Sequence, residues 1–277
     1  MTLKRHWSKS NTLMTGLKYC KHIGITLNAG CVMKQPKLRD SRKLKMQELY
    51  PINQFPDEII RKIGKQMVYL KCVGRKDISG DDWGDIFAYA VGGTHLKSPV
   101  GIADVICDKM AWSLKTIKNS NPHTTKSKPR LIIGRNSTDY SLDIPDPRKD
   151  IQATGDAVLR IWNKRVDIAY QDFISVRTVI LIRNFEELTF TLFEEDTRRF
   201  VPSEYEWEEN DGGNFEGFEI ETQQHRFTWQ PSGSQFSKYT SIPKNAYKFR
   251  IKKPPLLDTN KTLEQIGYSD EWVEIIR

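Results

Sequence analysis

The stretch Gly101-Ile102-Ala103-Asp104-Val105-Ile106-Cys107, then Asp108-Lys109, then Met110-Ala111-Trp112-Ser113-Leu114-Lys115-Thr116-Ile117, decides how the chain reads. Two apolar runs flank a two-residue polar connection, which predicts an antiparallel hairpin with strands over 100–107 and 110–117. With the turn at Asp108-Lys109, paired positions sum to 217 and Asp104 lies opposite Ser113. Alternate residues of a strand share a face, so Ser113 and Lys115 point the same way as Asp104. Opposed residues hold their Cβ atoms about 4.5–5.5 Å apart, and diagonal ones about 7–8 Å. A carboxylate and an ammonium thus share one face of an otherwise apolar hairpin. Burying either alone is costly, so a partner or a metal is expected. The plainer alternative is a cross-strand ion pair facing solvent, worth about 0–1 kcal/mol. Against it, Ile102, Ile106, Trp112 and Leu114 leave neither face plainly polar.

That arrangement suits phosphodiester hydrolysis. A carboxylate can hold Mg²⁺ with several waters and a phosphate oxygen. The ion polarises the phosphoryl group and helps generate hydroxide. A neighbouring lysine positions or deprotonates the attacking water, or stabilises developing charge. Ser113 supplies a hydroxyl or orients a water, and the Leu114 carbonyl is a further ligand.

A strand Asp followed on the next strand by a (D/E)-x-K triplet resembles the signature of the PD-(D/E)xK nuclease superfamily, which includes most type II restriction endonucleases. Here Asp104 is followed by ten residues and then Lys115, and Ala111-Trp112-Ser113-Leu114-Lys115-Thr116 is similar to the Ser-x-Lys variants of that signature. The resemblance covers about residues 55–170. It implies a restriction-endonuclease-like core, with a mixed central sheet flanked by helices. It also implies a sequence-specific, Mg²⁺-dependent endonuclease acting on double-stranded DNA. Asp104, Ser113, Lys115 and Glu58 are then the catalytic set, with Asp104, Glu58 and the Leu114 carbonyl on the metal. Two departures stand out: Ala103 replaces the signature proline, and Ser113 replaces the first triplet acid. A second carboxylate must therefore come from elsewhere. Glu58 on an N-terminal helix is the first candidate, and Asp81, Asp82 and Asp85 are the alternatives. Cutting both strands takes two sites, so a homodimer and a palindromic target are expected. A cognate DNA methyltransferase belongs to such a system without forming a stable complex. The competing readings are a repair or RNA nuclease on the same fold, and a non-catalytic nucleic-acid-binding module whose site has decayed.

A second segment reads as a DNA reader. His225-Arg226-Phe227-Thr228-Trp229-Gln230-Pro231-Ser232-Gly233-Ser234-Gln235-Phe236 mixes hydrogen-bonding side chains with aromatics around a Pro-Gly turn. Gln pairs bidentately with adenine and Arg with guanine, while hydroxyls take bases or phosphates. Arg226, Gln230, Ser234 and Gln235 are the candidates, against an ordinary turn with Phe227, Trp229 and Phe236 in the core. Lys118 and Lys126 lie in a Lys-rich loop that begins beside the candidate site, suited to a DNA backbone or simply solvated.

Working outward, helices are expected over 57–70, 83–91 and 151–169, with a last one from Thr262 anchored by Trp272 and Ile275. Strands are expected over 130–134, 175–183, 188–194, 215–222, 226–230 and 247–252, and the acidic run 204–211 reads as a solvated loop. The result is a mixed α/β (α+β) fold with a β-rich C-terminal half.

The chain has 277 residues, 38% of them hydrophobic and 28% charged, and its net charge is +8. Residues 1–47 hold eleven basic residues against Asp40 alone, so the remainder is close to neutral. That segment reads as a basic tail, an overcalled start with Met46 as initiator, or a DNA-anchoring arm. Residues 48–277 read as one nuclease domain with a C-terminal DNA-reading β region. No apolar run approaches the roughly 18–20 residues of a membrane helix. Cys20, Cys31, Cys72 and Cys107 form no CxxC and point to reduced thiols in the cytoplasm. Walker, GxGxxG and GxSxG motifs are missing, so NTPase, dinucleotide-enzyme and serine-hydrolase readings have no support.

Overall fold

The strand Ser175-Val-Arg-Thr-Val-Ile-Leu-Ile-Arg-Asn184 (β5) is buried at nine of its ten positions in the computed structural model of the chain. A continuous apolar run of this kind marks a central strand covered on both faces. The structure describes residues 48–97, 101–124, 126 and 128–276. The expectations for 1–47 and for Val100 lie outside these.

β5 pairs in parallel with β3 (Met110–Lys118) and antiparallel with β6 (Thr189–Asp196). The sheet is completed by β1 (Thr94–His95), β2 (Val105–Cys107) and β11 (Tyr247–Arg250), in the order β1-β2-β3-β5-β6-β11. Two helices cover one face. α1 (Asp57–Cys72) turns Ile59, Ile63 and Met67 inward, and α2 (Gly80–Val91) turns in Trp83 and Phe87. They meet Trp112, Val179, Leu181, Phe190 and Leu192 of the sheet. Ser79 and Asp82 start α2 with a reciprocal capping box, and Gly92 at φ 70° ends it.

A second sheet packs toward the other face. It has the order β4-β10-β9-β8-β7, from Arg130–Arg135, Gln235–Tyr239, His225–Gln230, Phe215–Glu219 and Tyr205–Glu209. The short helix α3 (Thr138–Leu142) follows β4, and the long helix α4 (Ile151–Asp172) carries the crossover to β5. Phe215, Phe227, Trp229 and Phe236 share one core with Val158, Trp162 and Val166 of α4 and with Ala111, Val176, Ile180 and Phe193 of the first sheet. A last helix, α5, spans Thr259–Gln265. Among the described residues, no helix is long and apolar enough to cross a membrane.

The mixed α/β architecture and the hairpin turn agree with the expectation, and the register Val105↔Trp112, Ile106↔Ala111, Cys107↔Met110 sums to 217 as read, but the first strand covers only Val105–Cys107 of the expected 100–107, so Asp104 just precedes it. Other expectations are corrected. The acidic run 204–211 contains strand β7, whose Tyr205 and Trp207 are buried while its acids face out. Gln235–Tyr239 is also a strand, held between β4 and β9. Trp272 and Ile275 are not core anchors: they are 61% and 77% exposed, and Trp272 meets the Tyr268 ring edge-on at the surface.

Gly155 of α4 gives a prediction with an inverted sign. A Cβ there would lie 2.2 Å from the Trp207 ring. Ala exceeds Gly in helix propensity by about 1 kcal/mol. Gly155→Ala should nonetheless destabilise by roughly 1–3 kcal/mol, because overpacking a rigid indole outweighs propensity. Urea unfolding measures the sign.

Candidate active site

Strand β2 is short, and Asp104 stands at the point where it parts from β3. The Asp104 N–H donates to the Trp112 carbonyl at 2.8 Å, and its own carbonyl accepts from Leu96 N–H at 2.8 Å. Beyond this point the β3 edge from Leu114 onward has no strand beside it among the described residues. The Asp104 carboxylate occupies the vacated position. Its Oδ2 accepts from the Leu114 N–H at 2.6 Å and from the Ser113 hydroxyl at 3.3 Å. A strand residue presents its N–H and C=O to the same edge, so the Leu114 carbonyl faces the same opening. Asp104 Oδ1 accepts no hydrogen bond among the described residues. Asp104, Leu114 and Lys115 line a cleft of about 230 Å³ together with Gly80, Asp81 and His95.

Lys115 lies on the Ser113 face and is partly buried. Burial pushes its pKa below the usual lysine value. The Asp104 carboxylate works against that shift, and the nearby Lys238 ammonium adds to it. Among the described residues, Lys115 makes no contact ion pair with Asp104, and its amine is not tied down. The expected alternative of a solvent-facing pair does not match this burial.

The opposite side of the hairpin explains its rigidity. Trp112 Nε1 donates to Glu194 Oε1 at 2.9 Å, and Tyr50 Oη donates to the same oxygen at 2.9 Å. Arg177 donates to Glu194 Oε2 at 3.0 Å. Further along, Arg183 donates to the Thr116 hydroxyl at 2.7 Å and to Asp77 at 2.8 Å. These bonds fix β3 and the segment that enters α2, and so the two walls of the cleft.

The predicted residues divide. Asp104, Ser113, Leu114 and Lys115 come together. Glu58 does not line the cleft. It is exposed on the first turn of α1 and pairs with Lys62 at 2.8 Å. Of the alternatives, Asp82 is taken by its cap and by Arg75, and Asp85 pairs with His95 at 2.8 Å. Asp81 lines the cleft. Lys118 is exposed at the end of β3, and Lys126 is exposed in the following loop. Arg226 pairs with Glu219 at 3.0 Å, near the Lys238 end of the second sheet. Gln230, Ser234 and Gln235 form the β9–β10 turn at its other end.

Lys238 and Glu195 escaped the sequence reading. Lys238 follows Phe236 by two positions on β10, so it shares the inward face. It is 7% exposed and binds Glu195 of β6 at 3.1 Å. A lysine in phase with a core phenylalanine was the available signal, and it was lost with the strand itself.

Among the described residues, no three His, Cys, Asp or Glu side chains gather as a ready metal cluster. Oxygen donors at the cleft include Asp104 Oδ1, which accepts no hydrogen bond among the described residues, the Leu114 carbonyl and Asp81. That set fits a hard cation held by one or two carboxylates that keeps waters and takes substrate oxygens, as Mg²⁺ does. Comparison with protein-family models, with curated protein sequences and with solved structures gave no match.

Proposed function

We propose that the protein is a Mg²⁺-dependent endonuclease of the restriction type, cleaving double-stranded DNA at Asp104, Ser113 and Lys115. The observation that carries this is the strand edge vacated beside β3, where an Asp104 oxygen with no hydrogen-bond partner among the described residues, the Leu114 carbonyl and a partly buried lysine amine meet in one cleft. Asp104 is held by the Leu114 N–H and the Ser113 hydroxyl, so it presents its second oxygen without reorganising. Mg²⁺ bound there would supply Lewis acidity toward the phosphodiester and its attacking water. Lys115 orients that water and accepts its proton, a role that a depressed amine pKa favours. Asp81 is the second carboxylate this geometry favours, in place of Glu58. A duplex substrate and a homodimer follow from the need to cut two strands.

The test uses purified protein and unmethylated phage DNA, with Mg²⁺ or EDTA. Discrete fragments that require Mg²⁺ and vanish in Asp104→Asn and Lys115→Ala are expected, with duplex binding retained in both variants. A smear would point to a non-specific nuclease. Binding without cleavage in the wild type would point to a recognition module.

A further inference from the structure

Arg160 and Lys164 lie one turn apart on α4, and no acid pairs with either among the described residues. Asp156 and Asp167, four positions before Arg160 and three after Lys164 on the same helix, are engaged instead with Gln152 and Arg199. They border a pocket of about 370 Å³ that also contains Arg135, Arg165, Tyr140 and Ile161. Four cations and no acid line it. Arg165 is set firmly in place. It donates to the Arg135 carbonyl, and its guanidinium packs so close to Gly134 that a Cβ there would stand 2.3 Å from Nη1. Tyr140, 91% exposed, leaves an open ring at the rim. The β9–β10 turn adjoins the pocket: Gln235 pairs with Arg135, and Asn136 N–H donates to the Ser234 carbonyl at 2.7 Å.

Building on the nuclease reading, we propose that this pocket is a phosphate clamp for the backbone of duplex DNA. It would set the Gln230–Gln235 turn against the bases beside the clamped phosphate. β10 runs from the pocket at Gln235 to Lys238 near Lys115. Three residues of strand span roughly 10 Å, so one duplex can reach both clamp and cleft.

The experiment measures anisotropy of a labelled duplex with the full-length protein in Ca²⁺ across a salt series, comparing wild type with Arg160→Gln/Lys164→Gln. Both positions are on the helix surface, and thermal unfolding checks that the fold is kept. Each lost phosphate contact reduces the slope of log K against log salt by about 0.9, so a fall of about 1–2 and at least tenfold weaker binding are expected. Gly134→Ala, which displaces Arg165, should weaken binding in the same direction. Wild-type binding and cleavage with an unchanged slope in the double variant would overturn the clamp and leave the nuclease reading intact. A wild-type protein that neither binds nor cuts any duplex would overturn both.

Discussion

Replacing Lys115 with methionine should abolish Mg²⁺-dependent cleavage and raise the unfolding midpoint. Methionine keeps the length of the stem and removes an amine that burial disfavours as an ammonium. General acid–base groups contribute about 10²–10⁴ in rate, so cleavage should fall by at least that range. Each kcal/mol of charge penalty relieved would move the midpoint up by roughly 2–4 °C in a domain of this size. The pH dependence has a definite sign. A lysine with a depressed folded pKa costs stability while it is protonated in both states. The stability gap between Lys115→Met and wild type should therefore be widest below the lowered value. It should close as pH rises through the lowered value toward that of an ordinary lysine. Wild-type cleavage should rise over the same interval, since the neutral amine is the base. Lys115→Arg should stay inactive across it, because guanidinium does not deprotonate. Calorimetry and single-turnover rates over a pH series check both halves. A lysine that merely decorates the surface would change neither.

Glu194→Ala should be the most destabilising single substitution in the region. It strands the Tyr50 hydroxyl and the Trp112 indole N–H without their acceptor, and leaves Arg177 (1% exposed) with the half-exposed Glu48 at 3.0 Å as its remaining acid. Breaking a buried pair by removing one partner costs roughly 3–5 kcal/mol. Glu194 also accepts from Asn53 N–H at 3.3 Å, so the loss should loosen residues 50–53, which keep the Asn53 side-chain bonds to the Glu194 backbone. Denaturant unfolding gives the magnitude, and hydrogen exchange at residues 50–53 and 110–114 gives the location. Cleavage should fall as well, because β3 loses its rear support while keeping every residue of the cleft.

The hairpin was legible because two independent signals agreed: a two-residue polar turn and apolar runs on both sides of it. Its register then fixed which face Asp104, Ser113 and Lys115 share. The second sheet was legible where apolar β-formers crowd together, as in Leu131-Ile132-Ile133 and Phe227-Thr228-Trp229. Tyr205 and Trp207 alternate with glutamates, and the acid content hid a period of two. Gln235-Phe-Ser-Lys-Tyr239 has a single fully buried aromatic anchor, Phe236, and becomes a strand because β4 and β9 flank it on either side. Glu58 was chosen for its helical position. Sequence position cannot say which helix start abuts the open strand edge, and the tie from Arg183 to Asp77 and Thr116 brings the start of α2 there instead.

The uncovered edge of β3 has a consequence for solubility as well as chemistry. An unpaired strand edge is a template for another copy's backbone, and proteins blunt such edges with charge. Leu114–Lys118 carries a lysine at its second position and another at its end. Variants that neutralise both Lys115 and Lys118 should therefore form cross-strand aggregates in concentrated solution without DNA, and light scattering would reveal them. A bound polyanion, by occupying the edge, should suppress that self-association.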